Sequence, residues 1–451
     1  MLEVCDSEIM IFSKRIQLHK KTLTIILFGF SFLFFLNLNI TREQNTYTET
    51  VYMPFYKTEN ANLTPVNKNR IHNNILGMYY DNRETWTTSN LGSILFKNIP
   101  IEVYENRNDN KQFVVLVWKY FDWLKHRHIQ SFGSSENDPL ELCSVKNCIF
   151  TGDDSQIGVA DALVIHLQHG LFPKVKERNP KQRWIFLNDE SPKNSFSLSK
   201  NRTSISDFVN VFNWSMTYRS DSDVPVPYGR TVPLSVPRRQ DKTFQISKTI
   251  PHWKEKQHDV LVTVLMSNCN SPERNKYIFE LQKHIKIDIY GKCSKDNKQK
   301  NRCPGHFKID CDVTSKYIFY LVFENSKCRE YLTEKVFQHA FSKGAIPVIM
   351  GPSEEDCRKL LPPHSYIHVD NFKTPEQLAK ALATLSDDTQ ILLMYHWWRN
   401  NFAVVNEHGY FGSKSYHFCR VCEALNYNDK NVKIYDEFML RKFLDPSQSC
   451  S

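Results

Sequence analysis

Polar residues that could bind an anion follow the apolar run Tyr317–Phe323. Glu324–Ser326 come directly after this run, and Thr333 stands where a helix begins, with Glu334 and Lys335 in its first turn. A helix N-terminus presents free N–H groups and a positive potential, so it suits a phosphate, and Lys335 adds a mobile positive charge. Glu334 is suited to accept hydrogen bonds from ribose hydroxyls. A capped helix with both charges in its first turn is also a common surface pattern, so the pattern by itself allows a purely structural role.

An arginine and a carboxylate elsewhere in the chain have the chemistry to complete such a site. Arg274 follows Met266–Cys269 in a helix opened by Ser271, and a guanidinium group suits bidentate contact with phosphate. Glu190 follows an apolar run, where a carboxylate in a partly desolvated cleft could take a proton from an attacking hydroxyl. The neighbouring Asp189 is the alternative base. The alternative to a catalytic role is a solvated loop acid.

Short apolar runs separated by polar segments predict the elements that must position these side chains. The predicted strands are Phe113–Trp118, Ala162–Leu167, Trp184–Leu187, Asp259–Met266, Ile285–Tyr290, Tyr317–Phe323 and Ala345–Met350. A helix is predicted from Glu334 to Lys343, with Gly344 in the position that ends helices. Strands alternating with helices predict α/β domains with parallel sheets, which bind ligands at the carboxyl edge.

Length and charge indicate two folded domains and exclude one class of partner. The chain has 451 residues and a net charge of +9, and its Lys and Arg residues are interleaved with Asp and Glu. Nucleic-acid binding is therefore not expected. The Pro-rich residues 224–257 are interpreted as the connection between a first domain, residues 108–223, and a second domain, residues 258–428. Residues 429–451 are interpreted as a tail.

The uncharged run Leu23–Ile40 predicts a single transmembrane helix. More Lys and Arg residues precede it than follow it, so the positive-inside rule places residues 1–22 in the cytosol and the rest in a lumen. A cleaved signal peptide is the alternative, but the run is long for one and lacks a small-residue cleavage site. Residues 41–107 are polar, rich in Asn and Thr, and interpreted as a stem.

Lumenal placement predicts glycans and disulfide bonds. The sequons open to glycosylation are at Asn62, Asn201 and Asn213. Of the 12 cysteines only Cys5 precedes the span, which leaves eleven beyond it, so at least one of these must lack an intramolecular partner. The pair Cys419-x-x-Cys422 could suggest zinc or a redox centre, but an oxidising lumen favours disulfides.

The stretch Tyr317–Gly351 closely resembles the signature of the α1,3-fucosyltransferases of glycosyltransferase family 10. The matching pieces are Phe-Glu-Asn-Ser at Phe323–Ser326, Tyr-Leu-Thr-Glu-Lys at Tyr331–Lys335 and Gly-x-x-Pro-Val-x-x-Gly at Gly344–Gly351. The resemblance extends over roughly Phe113–Leu425. It implies a GT-B type fold, in which two Rossmann-like domains face a cleft and the second domain binds GDP-fucose.

The resemblance also implies residue roles and two disulfide partners. Glu190, in Glu-Ser-Pro, matches the position of the family's proposed catalytic base. The residues that it implies for donor binding are Arg274, Asn325, Tyr331, Glu334, Lys335, Tyr218 and Arg219. Among these, Lys335 and Arg274 would meet the pyrophosphate, while Tyr331 and Glu334 would meet ribose or fucose hydroxyls. The cysteines that it implies as bridged, from the first domain to the C-terminal Cys-x-x-Cys, are Cys143, Cys148, Cys419 and Cys422.

Two Asp-x-Asp triplets, residues 221–223 and 310–312, resemble the metal-binding triplets of other glycosyltransferases. Because Lys335, Arg274 and a helix terminus can supply the positive charge directly, no essential metal is expected. Stimulation by Mn²⁺ is left open.

Together these features predict an inverting α1,3-fucosyltransferase that uses GDP-β-L-fucose and resides in the Golgi as a single-pass type II membrane protein. The segment Phe418–Glu423 looks like that of invertebrate core-type enzymes, which favours the Asn-linked core GlcNAc of glycoprotein N-glycans as the acceptor. The alternatives are a Lewis-type enzyme that acts on the GlcNAc of N-acetyllactosamine and, more remotely, a non-catalytic lumenal glycan-binding protein. Homo-oligomerisation is left open.

Overall fold

The computed structural model describes residues 75–104, 111–128, 138–141, 143–200, 203–238 and 246–451. The run Leu23–Ile40 and the sequons at Asn62 and Asn201 lie outside these residues. Within the described ranges, no helix combines the length and the apolar character needed to cross a membrane.

The first of two parallel sheets carries Glu190 beyond one of its central strands. Its six strands are β1 Phe113–Val117, β2 Cys148–Thr151, β3 Ala162–His166, β4 Arg183–Asn188, β5 Trp214–Thr217 and β6 Val224–Pro225. They lie in the order β2-β1-β3-β4-β5-β6, and every pairing is parallel. Strands β3 to β5 are buried along their whole length, which explains why β3 and most of β4 read as continuous apolar runs.

The second parallel sheet carries Glu324 and Asn325 beyond its central strand. Its strands are β8 Val262–Leu265, β9 Ile287–Tyr290, β10 Phe319–Phe323, β11 Ile346–Met350 and β12 Ile367–His368. They lie in the order β12-β11-β10-β8-β9. An antiparallel pair, β7 Gly229–Pro233 and β13 Phe402–Asn406, stands apart from both sheets. The α/β prediction with parallel sheets is therefore confirmed.

The helices cover both sheets and include one π-helix. The α-helices are α1 Asn90–Lys97, α2 Phe121–His128, α3 Ile246–Thr249, α4 Pro272–Leu281, α5 Asn297–Lys300, α6 Glu354–Leu360, α7 Pro375–Asp387, α8 Thr389–Met394, α9 His417–Tyr427, α10 Glu437–Leu444 and α11 Pro446–Ser449. Residues 75–81 are also helical. The helix predicted from Glu334 is a π-helix over Lys335–Phe341. Gly344 follows it with a φ of +65°, and a Cβ there would meet the Pro251 carbonyl oxygen at 2.1 Å, so only glycine fits.

The C-terminal part of the chain packs on the first sheet, which corrects two predicted boundaries. Helix α9 buries Phe418 and Val421 in the same cluster as residues of β1 and β3 to β6, so it does not belong to the second domain as predicted. Helix α10 buries Leu440 and Phe443 beside Phe186 of β4, so residues 429–451 are part of the first domain and not a tail. Both errors arise because an amphipathic helix shows which face is buried but not which sheet covers it.

The end of the predicted stem and the start of the predicted connection also fold. Tyr79 packs in the cluster of the second sheet, and Leu91 of α1 packs in a cluster of the first. The connection at 224–257 contributes β6 and β7, each short enough to accommodate its prolines. The stem interpretation is therefore wrong for residues 75–104.

The part of the chain that the structure describes contains five disulfide bonds, three of which join segments distant in sequence. The pairs implied for the Cys-x-x-Cys are present as Cys143–Cys419 and Cys148–Cys422, and they fasten α9 to the start of β2 and the loop before it. The other pairs are Cys269–Cys293, Cys303–Cys311 and Cys328–Cys450. Among the described residues, the cysteine left over is the buried Cys357.

Candidate active site

The carboxyl ends of β4 and β10 meet, and the loops that follow them touch. Ser191 donates a hydrogen bond of 2.9 Å from its Oγ to the Oγ of Ser326, and both side chains are buried. Glu190 precedes Ser191, and Asn325 precedes Ser326. The two segments that sequence reasoning assigned to a base and to a donor site thus lie side by side.

Glu190 is bonded directly to a residue of the second sheet's domain. The Tyr331 hydroxyl donates to Glu190 Oε2 at 3.0 Å, and the Tyr331 ring lies edge-on to Tyr218, with ring centroids 4.9 Å apart. Burial and the charge of Asp189 raise the pKa of the Glu190 carboxyl, although the bond from Tyr331 opposes this shift. Glu190 as a whole residue is half-buried.

Three groups fix the side chain of Lys335. Its Nζ donates to Glu324 Oε2 at 2.8 Å, to Thr333 Oγ1 at 2.8 Å and to Glu334 Oε1 at 3.1 Å. Burial lowers the pKa of the ammonium group, but the charges of Glu324 and Glu334 outweigh it, so the pKa is raised and Lys335 stays charged. Burial raises the pKa of Glu334, and the charge of Lys335 overcomes this and holds it down to about 2.

Arg274 and Asn325 lie at the same end of β10. The buried guanidinium of Arg274 donates to the Phe323 carbonyl at 3.3 Å and to the Asn268 carbonyl. Asn325 accepts a bond of 3.3 Å at its carbonyl from Ser271, the residue that precedes α4. Arg274 Nε and Asn325 Oδ1 are both buried without a hydrogen-bond partner in the described part of the chain. Both residues therefore retain unused polar atoms in the predicted donor region.

Tyr218 and Arg219 separate, although they are neighbours in sequence. Tyr218 packs against Tyr331, as a site residue should. Arg219 is buried and pairs with Asp221 at 2.6 Å between Nη2 and Oδ2, and its Nη1 donates to the Lys442 carbonyl. The structure therefore uses Arg219 to hold the C-terminal helix α10, and its predicted contact with the donor is not supported by this arrangement.

The neighbouring acids have other partners. Asp189 is buried, and its Oδ2 lies 3.3 Å from His408 Nε2, whereas Glu190 is the acid bonded to Tyr331. In the Asp-x-Asp triplets, Asp223 pairs with Lys433 at 2.9 Å and Asp310 with Lys343 at 2.6 Å. These ion pairs give the triplets a structural role.

The sequon at Asn213 is also used structurally. Its side chain is buried, accepts a bond of 2.9 Å from the Trp184 backbone, and donates one of 2.8 Å to the Lys433 carbonyl. A glycan on this amide could not be accommodated in the buried arrangement, so the structure argues against the predicted glycosylation of Asn213.

Sequence reasoning missed one central member of the site. Glu324 is completely buried and accepts bonds from the Thr333 backbone at 3.0 Å and from its hydroxyl at 2.8 Å, in addition to the bond from Lys335. Its position at the end of a strand was visible in the sequence, but nothing in the sequence paired it with a lysine eleven residues later. Glu324 is the residue that orients Lys335.

These groups can carry out transfer from an anionic donor to a hydroxyl. Lys335 and Arg274 offer positive charge near the end of β10. Glu190 offers a carboxylate that is hydrogen-bonded to Tyr331, a residue of the same domain as Lys335. A site of this kind suits a leaving group that bears phosphates and an acceptor that must lose a proton.

Comparison with known proteins agrees with a transferase of this kind. Residues 110–229 match the family described as "Fucosyltransferase, N-terminal", and residues 253–440 match "Glycosyltransferase family 10 (fucosyltransferase) C-term". The chain belongs to the fucosyltransferases of glycosyltransferase family 10. The prediction of this family and of a fucosyltransferase enzyme is therefore confirmed.

The relatives include vertebrate and insect enzymes. The chain is 33% identical over 302 residues to 4-galactosyl-N-acetylglucosaminide 3-alpha-L-fucosyltransferase FUT6 of Pan troglodytes, a match covering 64% of this chain and 76% of that one. It is 30% identical over 296 residues to glycoprotein 3-alpha-L-fucosyltransferase A of Drosophila melanogaster, covering 64% and 53%. A crystal structure of alpha1,3-fucosyltransferase with GDP-fucose is 14% identical, with a TM-score of 0.43, and covers 76% of this chain and 98% of that one. Because that identity and that TM-score are low, the family assignment depends on the sequence matches.

Proposed function

We propose that this protein transfers L-fucose from GDP-β-L-fucose, with inversion, to O3 of an N-acetylglucosamine residue. The observation that carries the proposal is the bond of 3.0 Å between Tyr331 and Glu190, because it brings a carboxylate base to the donor-side segment that also holds Lys335. The family supports fucose as the transferred sugar, and the names of both relatives specify a 3-α-L-fucosyltransferase.

The chemistry follows from the charges of the site. Lys335 and Arg274 bind the diphosphate and stabilise the negative charge that GDP acquires as its bond to the anomeric carbon breaks. Glu190 takes the proton from the acceptor hydroxyl, whose oxygen attacks the anomeric carbon from the opposite face. Asn325, Tyr331 and Glu334 are proposed to orient ribose or fucose hydroxyls.

For the acceptor we propose the Asn-linked core GlcNAc of glycoprotein N-glycans. The Drosophila relative is named a glycoprotein 3-alpha-L-fucosyltransferase, and the segment Phe418–Glu423 resembles core-type enzymes. The name of the Pan troglodytes relative, which specifies 4-galactosyl-N-acetylglucosaminide, favours N-acetyllactosamine as the second candidate. With Leu23–Ile40 as a membrane anchor, the enzyme would act on glycoproteins in the Golgi lumen.

One experiment tests the proposed donor and the proposed acceptor together. The full chain, purified in detergent, is incubated with GDP-fucose and either a core-exposed N-glycan or N-acetyllactosamine, and mass spectrometry shows which gains fucose. We expect the core glycan to gain fucose; transfer only to N-acetyllactosamine would contradict the core assignment. Glycan binding without transfer to either acceptor would indicate a non-catalytic binding protein.

Glu190→Gln should abolish transfer and leave GDP binding intact. The matched control is Glu280→Gln, which removes a carboxylate from a surface pair with Lys283 and should transfer normally. Transfer by Glu190→Gln at the wild-type rate would rule out its role as the base.

A further inference from the structure

A buried cluster of one carboxylate and two imidazoles lies behind Glu190. Asp189, His408 and His417 each offer one ligand atom, and these atoms all lie within 4.8 Å of one another. All three side chains are buried. The cluster draws on the end of β4, the loop after β13 and the first residue of α9, and none of these residues belongs to the proposed donor site.

The spacing inside the cluster fits atoms that share a metal ion. Asp189 Oδ2 lies 3.3 Å from His408 Nε2 and 3.5 Å from His417 Nε2. A charge-assisted hydrogen bond between such groups is shorter, roughly 2.7–2.9 Å. Two ligands bound to zinc at about 2.0–2.1 Å in tetrahedral geometry lie about 3.4 Å apart. Both observed separations are close to the second distance.

Neighbouring groups orient the imidazoles as outer-shell partners of a metal site do. Ser415 Oγ lies 3.0 Å from His417 Nδ1, so the other ring nitrogen, Nε2, faces Asp189. The His408 ring stacks on Tyr228 with centroids 3.8 Å apart, and the Tyr228 hydroxyl donates to the Asp189 carbonyl at 2.9 Å. The contact from Ser415 is of the kind that fixes the tautomer of a ligating histidine, and the stacking on Tyr228 holds the plane of the His408 ring.

We propose that Asp189, His408 and His417 bind one Zn²⁺ ion. Two imidazole nitrogens and one carboxylate oxygen are typical zinc ligands, whereas Mg²⁺ and Ca²⁺ prefer sites made entirely of oxygen. The site is separate from both Asp-x-Asp triplets.

The proposed zinc has a structural consequence for the reaction. It joins the residue before Glu190 to the segment that leads into α9, and the same helix is tied down by Cys143–Cys419 and Cys148–Cys422. The ion therefore holds the loop that carries the base and takes no part in the transfer step. Asp189, His408 and His417 are positioning residues in this sense.

Metal content tests the proposal without any measurement of fucose transfer. The full chain is purified in detergent without a polyhistidine tag, and its metals are measured by inductively coupled plasma mass spectrometry. We expect one zinc per chain. After removal of the ion by a chelator, Co²⁺ should restore a site with the visible absorption of tetrahedral cobalt, and Mn²⁺ should not compete with Zn²⁺ for it.

Two kinds of variant locate the ion. His408→Ala and His417→Ala should lose the zinc, while His396→Ala, which removes an equally buried histidine bonded to Arg399, should keep it. If the ligand variants do not fold, Ser415→Ala decides the question, because it keeps all three proposed ligands and removes the hydroxyl beside His417 Nδ1. It should lower zinc affinity roughly 10- to 100-fold.

Three results would overturn the proposal. The first is a folded wild-type chain that holds no zinc, both as purified and after incubation with Zn²⁺. The second is a zinc content or affinity that is the same in the wild type, His417→Ala and Ser415→Ala. The third is selective binding of Mn²⁺ over Zn²⁺.

Discussion

The Tyr331 hydroxyl and the Glu190 carboxylate form a hydrogen bond of 3.0 Å across the two halves of the molecule. Glu190 follows β4 of the first sheet, and Tyr331 precedes the π-helix of the second sheet's domain. Tyr331 is buried, and Tyr218 and Tyr228 both lie edge-on to its ring. The position of the base therefore depends on a residue of the donor-side domain.

Removing this bond should slow the transfer step. Tyr331→Phe keeps the ring and its packing but leaves Glu190 without its fixed donor, so we expect kcat to fall roughly 10- to 100-fold, which corresponds to about 1.4–2.7 kcal/mol. Steady-state kinetics with GDP-fucose measure the change. Tyr290→Phe is the control and should retain kcat. Tyr290 lies on β9, and the substitution removes a buried hydroxyl that is bonded to the Tyr317 hydroxyl. An unchanged kcat in Tyr331→Phe would show that Glu190 does not need this contact.

Lys335 is expected to contribute to both donor binding and stability, and a double substitution separates the two. Lys335→Met should weaken GDP binding roughly 10- to 150-fold, the loss expected for a charged hydrogen bond of about 1.5–3 kcal/mol. It should also destabilise the fold by about 3–5 kcal/mol, because it leaves Glu324 buried without its cation.

The double variant Lys335→Met/Glu324→Gln should recover much of that stability and none of the affinity for GDP. Isothermal titration calorimetry and urea unfolding measure the two quantities on the same samples. If the double variant binds GDP as tightly as the wild type, Lys335 is only a structural partner of Glu324.

Sequence patterns predicted the positions of residues that depend on neighbouring residues, but not contacts between residues that are distant in the sequence. The segments that hold Glu190 and Glu324–Ser326 could be placed at one edge because each follows an apolar run, and parallel strands bring their carboxyl ends together. The contacts of Arg219 could not be predicted in full, because one of its partners, the Lys442 carbonyl, lies in a distant helix. Asp189, His408 and His417 have no characteristic spacing, since the fold alone brings them together.

The same limit applies to packing. The sequence predicted which face of α9 is buried, but not which sheet the helix packs on. The two disulfides that tie α9 to the first domain were implied only by the family resemblance. The π-helix at Lys335–Phe341 was expected as an α-helix because hydrophobic periodicity does not distinguish a short π segment from an α-helix.

His339 on the π-helix should make stability depend on pH. Its ring is buried between Tyr320 and Phe411, and burial lowers its pKa to about 4, from an unfolded value of 6.5. The charged groups that act on it are Glu334, Asp310, Lys335 and Lys343. The unfolded chain binds more protons between these two pKa values, so the free energy of unfolding should fall as the pH drops from 6.5 toward 4, by about 3 kcal/mol at most.

His339→Phe keeps the ring packing and removes the titration. Urea unfolding of the wild type and the variant at pH 7.5 and pH 5 should show that the stability difference between the two proteins shifts in favour of the variant at the lower pH. An identical pH dependence in both would mean that other groups cause the loss of stability.

The disulfides Cys143–Cys419 and Cys148–Cys422 should act as one clamp on α9, so their removal should not be additive. Each spans a sequence separation of more than 270 residues, but once one is formed the other closes only a short loop. Cys148→Ser/Cys422→Ser should therefore cost about 2–3 kcal/mol, whereas the further substitutions Cys143→Ser/Cys419→Ser should cost about 5 kcal/mol more. Urea unfolding of the double and quadruple variants measures both steps. Removing the two disulfides in the reverse order is the internal control, because the first pair removed should always cause the smaller loss in the free energy of unfolding. Equal costs for the two steps would show that the bonds stabilise α9 by local contacts and not by closing the long loop.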